Sequence, residues 1–486
     1  MLFNSLSFLV FFIVVFAVYY LPPIRKKVKL QNWWILLVSY FFYGYADVRM
    51  IPLLFIATLA FYGIGIWLKN KINSGNARAA SWITTLGVSL GIGVLVYFKY
   101  LGFLADSMAV LLNRVGFSVS WSTLNIVMPI GVSFFTFKLV SYVIEIHREH
   151  IEPCRDLVKF GTFVAFFPTI LSGPIDRPNH FLPQLDNNHQ FDEKLAFDGG
   201  RQFLWGLFTK LCVADTLAGL TDNAWLDITN AGSSILFLAA LIYPLQMYAD
   251  FDGYSNMAIG VAKILGFRVT RNFNHPFIAR NVAEYWRRWH MSLTGWLTDY
   301  VFVPLNVKFR NMSLWGTCLA AIINLVLVGF WHGANWTYGL FGLYHGLLFV
   351  PLVFSGSFGK NRKLKATNAG LPYGKDIIKM VCTYLLVAIG LVIFRAPSVT
   401  EAFEYFVCMF TSDIILTPQY VGAKVIVAIT LAIGILVLEW FQRDKEYSWS
   451  INNLSTSQHF VMDMSLALII IFLGSFGSNQ FIYFQF

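Results

Sequence analysis

The chain has 486 residues, of which 57% are hydrophobic, 17% are aromatic and only 13% are charged. A soluble domain cannot cover that much apolar surface with polar groups, so the composition excludes a soluble globular protein and predicts an integral membrane protein. The net charge of +10 does not indicate nucleic-acid binding, because the Lys and Arg residues stand in short clusters between apolar segments rather than along one polar face.

Apolar segments recur along the whole chain, with few sizeable polar stretches between them. We predict an all-α, polytopic membrane protein that forms one domain over residues 1–486, with about ten to twelve spanning helices, because a span needs roughly 20 residues. The shorter segments are expected to pair, to re-enter or to line the protein interior, where their backbone groups can be satisfied. The predicted helices cover residues 2–21, 33–48, 50–68, 82–98, 101–113, 122–144, 157–173, 202–220, 233–249, 255–267, 314–331, 336–355, 377–394, 421–440 and 461–478.

The first apolar segment, residues 2–21, lacks a basic n-region and a small-residue cleavage site, so we predict a retained span rather than a signal peptide. It is followed by a basic cluster at residues 25–29. The positive-inside rule places this cluster in the cytoplasm and the N-terminus outside. The basic clusters at residues 69–78, 148–159 and 360–365 are predicted to be cytoplasmic loops by the same rule.

A polar run at residues 246–255 follows an apolar segment and contains Asp250, Asp252 and Tyr254. Carboxylates in such surroundings need partners. We favour structural hydrogen bonds to helix ends or an ion pair with an arginine, and a direct part in the chemistry stays open. Asp252 and Tyr254 are therefore candidate residues for binding the substrate or the donor.

Residues 281–300 are predicted to form an amphipathic helix, because Asn281 and Glu284 have capping-box spacing. His290 lies on the apolar face of that helix and is expected to face the protein interior. The same face carries Trp286, Trp289, Leu293, Trp296, Leu297 and Tyr300.

Arg287 and Arg288 lie toward the opposite face of this predicted helix. Two interpretations stay open for them: an anchor in the lipid head groups, or a contact with a phosphate of an acyl donor. Four tryptophans are candidates for the wall of a substrate channel that excludes water: Trp286, Trp289, Trp331 and Trp336.

Residues 311–359 contain no Asp, Glu, Lys or Arg, a length sufficient for two spans of about 20 residues each. Since both flanks are basic, the chain is expected to cross outward and return, with His332 at the outer turn and Gly333 allowing the helix to break. An imidazole there can act as a general base on a hydroxyl, or can merely hydrogen-bond between helices. Trp331 and Asn335, beside it, are candidate binding residues.

The five cysteines form no CxxC pair and no HExxH motif occurs, so neither a disulfide framework nor a metal site is expected. The chain also has no internal repeat, a feature that many transporters show.

Several motifs together resemble those of the membrane-bound O-acyltransferases, and within that family those of the alginate branch. The motifs are DGYS (252–255), YWRRWHMSL (285–293), DYVFVP (299–304), GFWHG (329–333), FPTILSGP (167–174) and the terminal FIYFQF (481–486). The resemblance implies that His332 is catalytic and that His290 lies near it in a tunnel through the protein.

The resemblance also implies a bacterial inner-membrane enzyme that takes an acetyl group from a cytoplasmic thioester. The donor would be acetyl-CoA or an acyl carrier thioester, acting as a substrate, and no bound cofactor is expected. The acetyl group would pass outward to a polysaccharide, often through a periplasmic SGNH-type partner. Both direct transfer and a covalent acyl-histidine remain open.

Other functions remain as alternatives. A teichoic-acid D-alanyl transfer protein shares the motifs, and an exporter of polysaccharide or lipid-linked sugar would use the tryptophans to stack sugars. A non-catalytic scaffold of a synthase complex would tolerate the loss of His332, and an exporter would move its substrate without ester chemistry.

Overall fold

A computed structural model describes residues 1–118, 127–360, 364–413, 421–451, 454–477 and 481–482. In this part of the chain the fold is all-α, with one isolated bridge between Ala366 and Pro372 and no strand, so the predicted fold class is confirmed. Among these residues nine helices are long and apolar enough to cross a membrane, and Leu6–Tyr19 is a shorter apolar helix. The chain is therefore a multi-pass membrane protein. Parts of four predicted features lie outside the described residues: 122–126 of one helix, 478 of another, Arg362 and Lys363 of a basic cluster, and 483–486 of the terminal motif.

The chain divides into two compact units, of which the first comprises residues 1–200 and 258–270. Its helices are α1 (Leu6–Tyr19), α2 (Pro22–Arg25), α3 (Val28–Ala46), α4 (Ile51–Asn73), α5 (Ala77–Leu95), α6 (Leu101–Arg114), α7 (Val132–His147), α8 (Leu157–Ala165), α9 (Pro178–Phe181) and the first half of α10 (Glu193–Phe208). The π-helical turn Val96–Tyr100 joins α5 to α6, so the helices predicted at 82–98 and 101–113 form one continuous candidate span.

Helix α8 is shorter than the predicted helix at residues 157–173. Asp156 caps its start by accepting from the backbone N–H groups of Val158 and Lys159 at 2.8 and 3.2 Å. The helix ends at Ala165 because Pro168, three residues further on, lacks an N–H group and disfavours helical geometry in the residue before it. The buried stretch that follows packs against Gly131, where an added Cβ would lie 2.4 Å from the carbonyl oxygen of Ile170.

The second unit comprises residues 201–257 and 271–486. Its helices are the rest of α10, α11 (Asp215–Leu226), α12 (Ser233–Ile264, whose last residues belong to the first unit), α13 (Val282–Trp286), α14 (Met291–Leu297), α15 (Val303–Lys308), α16 (Ser313–His332), α17 (Trp336–Phe354), α18 (Gly374–Arg395), α19 (Val399–Thr411), α20 (Ala423–Phe441) and α21 (Thr456–Leu473).

Helix α12 is continuous over 32 residues, so the prediction of two helices at 233–249 and 255–267 is wrong. The polar run does not break the helix: Gln246 and Asp250 have partners outside α12, and Asp252 has one within it. Asp250 forms an ion pair with Lys210, at 2.6 Å, and not with an arginine. A polar residue interrupts an apolar pattern without interrupting the backbone hydrogen bonds of a helix.

Helices α16 and α17 form the predicted helical hairpin over the charge-free run, with its turn between His332 and Trp336. That the turn lies on the outer side of the membrane stays a prediction. The two helices approach closely. A Cβ on Gly329 would lie 2.0 Å from the carbonyl oxygen of Tyr338, and one on Gly333 would lie 2.1 Å from the Tyr338 ring. These glycines allow the turn to fold tightly against the first residues of α17.

Candidate active site

His332 is the last residue of α16 and is 4% exposed. Its ring lies 5.0 Å from the ring of Trp331 and 5.1 Å from that of Phe394, in both cases edge to face, as measured between centroids. The helix therefore ends on a histidine that is enclosed by aromatic rings.

His290 lies beside His332, with 6.4 Å between the ring centroids. It is fully buried, and its ring contacts Phe251 at 4.7 Å and Trp331 at 5.5 Å. Burial lowers the pKa of His290, which lies outside the candidate spans, to about 3. Its imidazole is therefore neutral at physiological pH, and one ring nitrogen carries a proton that it can donate.

The backbone around His290 corrects the prediction of one helix over residues 281–300. Helix α13 ends at Trp286, and His290 has a left-handed backbone (φ 45°) that precedes α14. The break follows from bonds to another segment: Asn274 N donates to the carbonyl of Arg288 at 2.9 Å, and Met291 N donates to the carbonyl of Asn272 at 2.7 Å. His290 thus lies at a break between two helices and not on the face of one.

The two arginines of this segment have different surroundings. Arg288 donates to Glu284 at 3.2 Å and to the carbonyl of Asn274 at 2.9 Å, so its guanidinium holds the break together. Arg287 is exposed and donates to the carbonyls of Phe358 and Lys360 at 3.0 and 3.4 Å. Of the two, Arg287 is the one at the surface.

Of the four tryptophans predicted to exclude water, Trp286, Trp289 and Trp331 are buried, but Trp336 is 57% exposed, so the prediction is wrong for Trp336. Trp331 contacts both His290 and His332. Trp289 packs 5.0 Å from Phe273 and 5.4 Å from Tyr285. Trp286 packs 5.3 Å from His345, with the two rings perpendicular.

The remaining predicted binding residues have structural contacts. Asn335 caps α17 by accepting from Thr337 N at 3.1 Å, and it donates to the carbonyl of Pro397 at 2.7 Å. Asp252 accepts from Asn256 Nδ2 at 2.8 Å. Tyr254 is buried with its ring 4.9 Å from that of Phe481.

Three residues near the histidines were missed by the sequence prediction: Phe251, Phe341 and Phe394. Rings in contact lead from His332 to Phe394 at 5.1 Å, to Phe341 at 5.1 Å and to His345 at 4.7 Å. His345 lies among apolar residues in the sequence, and nothing there places it beside Trp286. Phenylalanines are too common in this chain, which has 47, to have been singled out.

A known protein family matches the part of the chain that contains every quoted motif except the terminal FIYFQF. The family model of MBOAT, the membrane-bound O-acyltransferase family, matches residues 35–358. A probable alginate O-acetylase AlgI of Pseudomonas aeruginosa is 36% identical over 415 residues, which are 85% of this chain and 75% of the relative. A peptidoglycan O-acetyltransferase of Helicobacter pylori is 29% identical over 83% of this chain and 79% of the relative's length. A teichoic acid D-alanyltransferase of Bacillus subtilis is 30% identical over 56% of this chain and 69% of its own.

Proposed function

The chain belongs to the membrane-bound O-acyltransferase family and is an O-acyltransferase, and from this premise we propose that it acetylates a polysaccharide outside the cytoplasm of a bacterium. The relatives with acetyl-transfer names match 83–85% of the chain, whereas the D-alanyltransferase matches 56%. That difference in coverage favours acetyl over D-alanyl as the group transferred.

The observation that carries the proposal is the pair of buried histidines, His290 and His332, with 6.4 Å between their rings. Burying two ionisable groups side by side is costly, and such groups in membrane proteins mark functional sites. The two come from separate elements, a helix end and a helix break, and both point into one aromatic enclosure.

In the proposed reaction, His332 accepts the proton of the acceptor hydroxyl while the hydroxyl oxygen attacks the thioester carbonyl carbon. Neutral His290 donates a hydrogen bond to the carbonyl oxygen as negative charge develops there. The C–S bond then breaks, the ester leaves, and the thiolate takes the proton back from the His332 imidazolium. The reaction thus needs no net proton and no bound cofactor.

Water is the competing acceptor, since hydrolysis would waste the thioester. Trp331 and Phe394 enclose His332, and Phe251 and Trp331 enclose His290. We propose that these rings admit the acyl chain and the acceptor hydroxyl but exclude bulk water.

The proposed topology follows the positive-inside rule. The N-terminus lies outside the inner membrane, and the turn at His332 faces the same side. The donor, acetyl-CoA or an acetylated carrier protein, enters from the cytoplasm. The acceptor hydroxyl belongs to the polysaccharide or to a periplasmic SGNH-type partner that passes the acetyl group on.

The test replaces His332 by Ala and by Gln and measures ester-linked acetyl groups on the envelope polysaccharide, at equal amounts of protein in the membrane. We expect a loss of about 100-fold or more, since general-base catalysis contributes about 10²–10⁴-fold. His147→Ala is the matched control, because that histidine is exposed at the end of α7. Undiminished esterification in the His332 variants would exclude this mechanism, and normal export of unacetylated polysaccharide would argue against an exporter.

A further inference from the structure

We propose that His345 and Trp286 bind an amide group of the pantetheine arm that coenzyme A and acyl carrier proteins share. The inference rests on the proposed function, because it assumes a thioester donor. It assigns to His345 a positioning role for the donor arm, away from the reacting atoms.

The first observation is that these two side chains keep polar atoms without partners in the protein interior. His345 is 0% exposed and Trp286 is 6% exposed. Neither nitrogen of His345, nor Nε1 of Trp286, has a hydrogen-bond partner among the described residues. Buried polar groups are nearly always satisfied, so unsatisfied ones side by side call for an explanation.

The second observation is the orientation of the imidazole. The nearest ring atom to Gly390 is Nε2, which would lie 2.5 Å from a Cβ at that position, and Cδ2 follows at 3.2 Å. Nδ1 is on the opposite side of the ring from that edge, so it is the nitrogen available to a ligand. The neighbouring Tyr344 hydroxyl is committed to the carbonyl of Leu386 at 3.0 Å.

The third observation is position. His345 lies nine residues after Trp336, or about 14 Å along α17 from the turn that holds His332. In the other direction, Trp286 adjoins Arg287, which is exposed and donates to the carbonyls of Phe358 and Lys360. Ring contacts through Phe341 and Phe394 thus connect the pair to His332, and Trp286 precedes an exposed arginine in the sequence. A linear donor arm that runs from Arg287 to His332 would pass this pair.

The chemistry of the pair matches an amide. The Trp286 indole can only donate a hydrogen bond. The proposal assigns the His345 proton to Nε2, so that Nδ1 can only accept a hydrogen bond. An amide offers a carbonyl to the first and an N–H to the second. A phosphate, which only accepts, satisfies Trp286 alone, and a hydrocarbon chain satisfies neither. Phe341, which contacts both rings, supplies an apolar wall for the methylene groups between amides.

The experiment uses acetyl-pantetheine donors in which each of the two amides is replaced in turn by an ester. This exchange removes the N–H but keeps the carbonyl. The wild-type protein in lipid vesicles should use one of the two ester analogues about tenfold less well than the amide in kcat/KM, the value of a single hydrogen bond. His345→Phe should use that analogue and the amide equally, while Trp286→Phe should keep the preference. The ratio is taken within one preparation, so a partly misfolded variant does not obscure it.

Two further variants act through geometry alone. Gly390→Ala should displace the imidazole and reduce the preference, whereas Gly434→Ala on α20 has nothing within 4 Å of its added Cβ and should preserve it. The same analogues, built on coenzyme A and on an acyl carrier protein, show which donor delivers the arm.

An unchanged amide-to-ester ratio in His345→Phe would overturn the inference, as would a wild-type protein indifferent to both esters. If transfer still depends on His332 in that case, the proposed function survives and only the amide site fails. If no thioester is used at all, the proposed function fails first.

Discussion

Two groups of buried polar side chains in the second unit differ in how far the protein supplies partners for their polar atoms. In the lysine cluster (Lys210, Asp215 and Asp250), Lys210 Nζ lies 2.8 Å from Asp215 and 2.6 Å from Asp250, and the second oxygen of Asp250 accepts from Ile482 N at 2.9 Å. The ring of Phe481 lies 4.3 Å from the same ammonium. The cluster thus joins α11, α12 and residues 481–482 of the chain.

The histidine segment (Trp286, His290, His332 and His345) is surrounded by rings instead. His345 and Trp286 keep nitrogens with no partner among the described residues. The difference separates two uses of a buried polar group. Where the protein supplies the counter-charge, burial stabilises one arrangement, and where nitrogens lack partners, as at His345 and Trp286, we propose that a substrate supplies them.

The largest effect on stability is expected in the lysine cluster. Lys210→Met leaves Asp250 and Asp215 buried without their cation, and should destabilise the protein by about 3–5 kcal/mol. Thermal unfolding in detergent measures this. Adding Asp215→Asn and Asp250→Asn should restore much of the loss, because the uncompensated charge is then removed.

Lys159→Met is the matched control for this prediction. Lys159 pairs with Asp186, whose side chain is 61% exposed, so its loss should cost at most about 1 kcal/mol. Equal destabilisation by the two lysine variants would show that the lysine cluster does not have the structural role that distinguishes it from the histidine segment.

A smaller effect is expected from the pH dependence of the histidine segment. Because burial lowers the pKa of His290 to about 3, the neutral form is favoured in the folded protein. Below the ordinary histidine pKa of about 6.5, the unfolded chain binds a proton at this residue and the folded protein does not. The free energy of unfolding is therefore highest above about pH 6.5 and decreases as the pH falls from there toward about 3. Between pH 7.5 and 5.5 the loss from this one group is about 1 kcal/mol.

The measurement compares the unfolding of wild type and His290→Phe at these two pH values. The variant should lose less stability on acidification than the wild type, even if it is less stable at both values. A wild-type slope retained in full by the variant would place the acid sensitivity elsewhere.

The smallest effect is expected for Arg287→Ala, at the exposed end of the histidine segment. If Arg287 contacts a phosphate of the donor, the KM for the donor should rise by about two- to fivefold with kcat unchanged, since its charge-assisted contacts are exposed to solvent. Arg288→Ala is the contrasting variant, since Arg288 is bound to Glu284 and should affect stability instead. A KM unaffected by Arg287→Ala would favour a role at the lipid head groups.

The site was predictable from the sequence to an uneven degree. His332 was located well because the charge-free run of residues 311–359 and its basic flanks constrain where the chain turns. His290 was identified as buried, but its backbone was predicted wrongly. Helical periodicity continues through residues 287–290, and bonds to Asn272 and Asn274, which are distant from that pattern, accompany the break in the helix.

The sequence by itself determined that this protein lies in a membrane, that it is all-α and that a helical hairpin carries His332. Apolar content, span length and charge distribution act locally along the chain, so a linear pattern shows them. Tertiary structure alone decided which polar groups found partners. Lys210 meets Asp250 across 40 positions of the sequence, and His345 meets Trp286 across 59. Such pairings depend on how helices pack, which a linear pattern of hydrophobic residues does not specify.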